Sequence, residues 1–95
     1  MSHIKTNYNS DSPRDVSDFL MAISELWQSK IDGPSRANRA IEEMAKQGSK
    51  GRQLLFNCHL VVSRQIPLVK ERDLLPMFQS LQQIFGVFAR GGSKF

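Results

Sequence analysis

Between Asp32-Gly33-Pro34-Ser35 and Ile66-Pro67 the chain repeats apolar residues at helical spacing, and this run constrains the fold more than any other feature. At 100° per residue, Ile41, Met44, Gly48, Gly51, Leu55, Cys58, Val62 and Ile66 share one broad side. Pro67 lacks an N–H and disfavours helix just before it, so the run ends near Ile66. Gly48-Ser49-Lys50-Gly51 admits two arrangements. It splits the segment into two helices, or its glycines sit inside one helix where another backbone approaches. Each interior glycine costs roughly 1 kcal/mol relative to alanine. The apolar phase nevertheless crosses the glycines unbroken, which favours one long helix from Arg36 to Ile66, bent near the glycines.

The flanks read as shorter helices. Ser12-Pro13-Arg14-Asp15 carries a cap, a first-turn proline and an acid at the capping-box position. Val16, Phe19, Leu20, Ile23, Leu26, Trp27 and Ile31 then recur at helical spacing, predicting a first helix that ends near Ile31. Trp27 falls on that apolar face, which places it in a core or dimer contact rather than on a base. A third helix is expected from Asp73, with Leu74, Leu75, Phe78, Leu81, Phe85 and Phe88 on its apolar face and Pro76 in its first turn. Residues 1–11 read as a disordered polar arm, 12–88 as a single helical domain and 89–95 as a flexible basic tail. The expected fold is all-α: three helices with a long central one. With 95 residues the core is modest, so a helical-bundle homodimer is expected.

Several function classes lose support. Cys58 is the only cysteine, so no internal disulfide forms, and His59 beside it points elsewhere on a helix. Neither supplies a metal-ligand set; a core cysteine beside a partly buried histidine is expected, with no metal and no cofactor. No nucleophile motif or phosphate loop is present, so the chain is not expected to be an enzyme. No apolar run approaches the roughly 20 residues of a membrane span, and the first ten residues are polar without a signal core, so no membrane partner and a cytoplasmic location are expected.

The charge pattern points to a polyanion. The net charge is +4. Residues 36–66 hold six basic side chains against Glu42 and Glu43, whereas residues 1–35 hold three basic and five acidic ones. On a continuous helix, Arg39, Lys46, Lys50, Asn57 and Arg64 follow steps of 7, 4, 7 and 7 residues and fall within an arc of roughly 40° opposite the apolar side. The row would span about 37 Å. A straight row of cations suits a repeating phosphate backbone, where each neutralised phosphate releases counterions. It positions without reading sequence. Together with Arg36 these are the candidate nucleic-acid-binding residues: Arg36, Arg39, Lys46, Lys50, Asn57 and Arg64. A solvated outer face, which every amphipathic helix needs, is the plainer explanation of the same residues.

Leu60-Val61-Val62-Ser63-Arg64 resembles a Leu-x-Val-Ser-Arg run near the end of the long second helix in the nodavirus suppressors of RNA silencing. Those proteins are small, basic, helical dimers that lie along double-stranded RNA and shield it from Dicer. The resemblance implies a viral protein of the host cytoplasm, a homodimer, and an RNA contact at Arg64. At Asn57 the family uses a lysine. The order of parts is similar over residues 12–80; identity is confined to residues 60–64. Gly48, Gly51 and the long aromatic third helix depart from the pattern.

The expected function is therefore sequence-independent binding of double-stranded RNA that shields it from host silencing. Two alternatives stand beside it. If Gly48-Ser49-Lys50-Gly51 is a turn, residues 36–47 and 52–66 form a helix-turn-helix DNA-binding regulator, with Arg52, Gln53 and Asn57 toward base edges. If the aromatic third helix is two-sided, the chain is a protein-interaction module, a chaperone or an inhibitor, with Phe78, Phe85 and Phe88 in a partner's groove.

Overall fold

The computed structural model of the protein describes residues 8–9 and 11–89. These form four α-helices and one 3₁₀ turn, with no strand among them: α1 (Pro13–Trp27), α2 (Gly33–Ala45), α3 (Ser49–Gln65), a 3₁₀ turn (Ile66–Leu68) and α4 (Leu75–Ala89). The all-α expectation holds at this level, but the count is four helices rather than three. The long central helix is corrected: it is two helices, α2 and α3. A straight helix over residues 36–66 would measure about 46 Å, longer than the 34 Å greatest extent of the molecule.

The break is local. Lys46 ends α2, with Gln47 N–H donating to the Met44 carbonyl and Gly48 N–H to the Ala45 carbonyl. Gly48 has φ 95° and ψ −154°, a conformation open essentially to glycine alone. Three residues, Lys46, Gln47 and Gly48, thus link α2 to α3. Gly51, in the first turn of α3, lies against the main chain of Met44, whereas a side chain at Gly48 would meet nothing within 4 Å; the two glycines therefore do not share the role of facing a neighbour from inside one helix.

α1 begins as its chemistry dictates. Ser12 Oγ accepts from Asp15 N–H at 3.3 Å, and Pro13 takes the first helical position. The reciprocal half of the capping box is altered: Asp15 Oδ2 accepts from Asn9 N–H at 2.7 Å instead. Just before the helix, Tyr8 packs edge-on against Phe19, ring centres 5.3 Å apart. The rest of the arm, residues 1–7 and 10, and the tail from residue 90 lie outside the described residues. α1 stops at Trp27, not Ile31; Ile31 is 67% exposed, so no burial extends the helix to it.

One core joins the helices. Phe19 and Ile23 from α1, Ile41 from α2, Leu54, Leu55, Cys58 and Val62 from α3, and Leu81 and Phe85 from α4 are almost fully buried. Burial of each large apolar side chain contributes about 1.5–3 kcal/mol. α4 packs chiefly on α3, and α1 on α2. Trp27 lies half-buried against the core, on the apolar face of α1.

A polar clamp fixes α4 to α3. His59 Nδ1 donates to the Gln82 carbonyl at 2.9 Å, Gln82 Nε2 donates to Ser63 Oγ at 3.0 Å, and Ser63 Oγ donates to the His59 carbonyl at 2.8 Å. Gly86 lets α4 pass beneath the His59 ring; a methyl there would stand 3.1 Å from Cε1. Cys58 is buried with its Sγ 3.9 Å from the Val16 carbonyl, and burial pushes its thiol up to about 12. Cys58 thus lies in the core with a half-buried histidine beside it, as their positions on the helix suggested.

Candidate nucleic-acid interface

The positive charge of the chain is concentrated on α2, the turn and α3. Six of the thirteen basic residues and two of the nine acidic ones lie between residues 33 and 68, leaving seven of each sign elsewhere. The whole net charge of +4 therefore belongs to this unit. Arg36, Arg39, Lys50 and Arg64 are exposed and Arg52 is half-exposed. None of the five forms an ion pair among the described residues. Lys46 meets Glu43 at 3.6 Å, with both side chains about two-thirds exposed; such surface pairs contribute about 0–1 kcal/mol and leave the ammonium accessible.

The break redistributes the predicted row. Arg36 lies in the first turn of α2 and Arg39 in the next. Lys46 caps α2 and Lys50 opens α3, so these two flank the turn at Gly48. Lys50, Asn57 and Arg64 keep their seven-residue steps on α3, a row of about 21 Å. The straight 37 Å stripe is corrected accordingly, because it required a helix unbroken through Gly48.

α3 has two unlike halves. Near its end, Asn57, Leu60, Val61 and Arg64 join Asp11, Pro13, Val16 and Ser17 in a groove of about 270 Å³ beside the start of α1. A second groove of about 390 Å³ continues along the α1–α3 seam, floored by Leu20, Met21, Val61 and Phe78 and sharing Ser17 and Val61 with the first. The first turns of α3 carry no such neighbour in either groove. There the outward residues are Ser49, Lys50, Gln53 and Phe56, with Asn57 and Arg52 at the margins.

Phe56 is 43% exposed, outside the packed core, and points the same way as Gln53. Gln53 Nε2 donates to Asn57 Oδ1 at 3.5 Å, linking the two amides one turn apart. The helix-turn-helix alternative placed Arg52, Gln53 and Asn57 toward base edges and did not include Phe56. Its position off the apolar side of α3, between Gln53 and Leu60, was the available signal.

The aromatics of the expected third helix lie on α4. Phe85 is fully buried and 6.5 Å from Phe19 between ring centres, and Phe78 and Phe88 pack half-buried against the core. That helix spends its aromatic face inside the molecule. Among the described residues, no group of three or more histidine, cysteine or acidic side chains is placed to hold a metal ion, and no helix is long and apolar enough to cross a membrane. Compared with known proteins, the chain matches no family model, no curated protein and no solved structure.

Proposed function

We propose that the chain binds duplex DNA through the α2–turn–α3 unit, with phosphates held by Arg36, Arg39, Lys46, Lys50 and Arg52 and the first turns of α3 presented to the major groove. The carrying observation is that the entire net charge sits on two helices joined by a three-residue glycine turn, exposed and, among the described residues, largely unpaired. A helix fits the roughly 12 Å major groove of B-DNA, whereas the A-form major groove is too deep and narrow for side chains to read. Phosphate contacts supply affinity and make it salt-dependent.

Double-stranded RNA, shielded from silencing as the resemblance implies, is the second reading. It is favoured by one observation, the surviving row Lys50, Asn57 and Arg64 on α3. The homodimer belongs to the proposal as well. The apolar α1–α3 seam carries Glu25 on its α1 side and Arg64 on its α3 side, neither of them ion-paired among the described residues. A second copy turned about the seam would bring acid to base.

Competition gel shifts among duplex DNA, double-stranded RNA and single-stranded RNA test the proposal. Duplex DNA is expected to bind at about micromolar protein at low salt. RNA displacing DNA would select the second reading, and no shift with any of the three would overturn both.

A further inference from the structure

We infer that the first turns of α3 read A·T pairs in the major groove, and that they distinguish thymine from uracil. The inference rests on the duplex-DNA reading above and goes beyond it to the bases themselves.

An A·T pair shows the major groove four features: the N7 acceptor and N6 donor of adenine, and the O4 acceptor and C5-methyl of thymine. α3 offers complementary groups on one arc. Gln53, Phe56 and Asn57 fall within about 100° of the helix circumference, and Gln53 and Phe56 are exposed. The rise from Gln53 to Asn57 is about 6 Å, close to two base-pair steps.

Gln53 Nε2 uses one N–H on Asn57 Oδ1, at 3.5 Å. Its second N–H and its Oε1 remain for a bidentate pair with adenine, donating to N7 and accepting from N6. Asn57 is therefore the positioning residue and Gln53 the reader. Phe56 supplies the apolar half. Its ring is 43% exposed and adds little to the core, so its conformation is available to receive the thymine methyl. Uracil has no methyl to offer. Lys50 and Arg52 flank the arc and carry the charge for the adjoining phosphates.

Fluorescence-anisotropy titrations of the full chain test this with four duplexes of equal length: alternating A·T, G·C only, A·T with uracil replacing thymine, and A·T with 7-deazaadenine. The wild-type chain is expected to prefer A·T over G·C by about tenfold or more. Uracil should weaken binding about fourfold, the worth of one buried methyl, and 7-deazaadenine should weaken it further. Phe56→Ala should bind the thymine and uracil duplexes alike while remaining sensitive to 7-deazaadenine. Gln53→Ala should lose the 7-deazaadenine effect and keep the methyl effect. Both side chains are exposed, and circular dichroism verifies that the variants remain folded. Tight but equal binding to all four duplexes overturns this inference and leaves the DNA reading standing. Binding to none of them overturns both, and preference for a single strand over its duplex overturns the groove geometry.

Discussion

The main-chain oxygen of Met44, in the last turn of α2, occupies the place that a side chain at position 51 would need. This contact, with the positive φ of Gly48, holds the start of α3 against the end of α2 and so sets the geometry of the cationic unit.

Two glycine substitutions should therefore fail for different reasons. Gly51→Ala must push the Met44 carbonyl aside, and overpacking of this kind costs typically 1–3 kcal/mol. It should lower Tm by about 10 °C for a domain of this size, despite the better helix propensity of alanine. Gly48→Ala meets nothing within 4 Å but must adopt φ 95°, for a backbone cost of about 1–3 kcal/mol. Chemical denaturation measures both losses. NMR secondary shifts in the wild-type chain should show a helical break over residues 46–48; helical values throughout would restore the continuous rod.

His59 and Gly86 should be coupled. Gly86→Ala places a methyl 3.1 Å from the His59 ring, which is pinned by its 2.9 Å bond to the Gln82 carbonyl and cannot easily turn away. The single variant should lose about 1–3 kcal/mol. In a His59→Ala background the same change should be neutral or stabilising, because the ring is gone and alanine favours helix by roughly 1 kcal/mol. A double-mutant cycle read by urea denaturation gives the coupling; additive losses would mean that the ring does not sit where this packing puts it.

Alkaline stability should report on Cys58. Its thiol is raised from 9.0 to about 12 by burial, so the folded state resists ionisation. The sign follows from linkage: the unfolded chain loses this proton first, so stability is intact below pH 9 and falls as pH rises toward 12. The slope approaches about 1.4 kcal/mol per pH unit in that window. Cys58→Ala, although less stable near neutrality because it leaves a cavity, should show a shallower fall there than the wild-type chain. At pH 8 the wild-type thiol should react with a disulfide reagent only as fast as the protein opens.

Much of the fold was legible because its signals are local. Ser12 and Pro13 define the start of α1 through their own side-chain chemistry, and Pro67 ends α3 by lacking a donor. The break between α2 and α3 was hidden by phase. Ile41 and Met44 from one helix and Leu55, Cys58 and Val62 from the next bury toward the same core across a short turn. Their periodicity continues as though no turn intervened, and a helical projection cannot register the dihedral angle of Gly48. The cationic character of the site could be counted from residues alone. Its shape could not, because the straight row of Arg39, Lys46, Lys50, Asn57 and Arg64 presupposed the unbroken helix. The place of Phe56 off the apolar side of α3 could be read from the spacing, but its exposure beside Gln53 follows from how α3 packs.

The salt dependence of binding should separate residues that touch phosphate from those that lie elsewhere on the positive unit. Each phosphate neutralised adds about 0.9 to the slope of log affinity against log salt on B-DNA. Arg36→Ala, Arg39→Ala, Lys50→Ala and Arg52→Ala should each lower that slope by up to about one. Glu43→Gln should tighten binding at low salt, because it removes the carboxylate 3.6 Å from Lys46 without shortening any cationic side chain. Arg64 lies in the groove beside Asp11 and Pro13, away from the turn, so Arg64→Ala should leave the slope for duplex DNA nearly unchanged. On double-stranded RNA tracked by the Lys50–Arg64 row, the same substitution should lower it by about 0.9. A loss at Arg64 equal to that at Lys50 on DNA would move the interface from the turn to the length of α3.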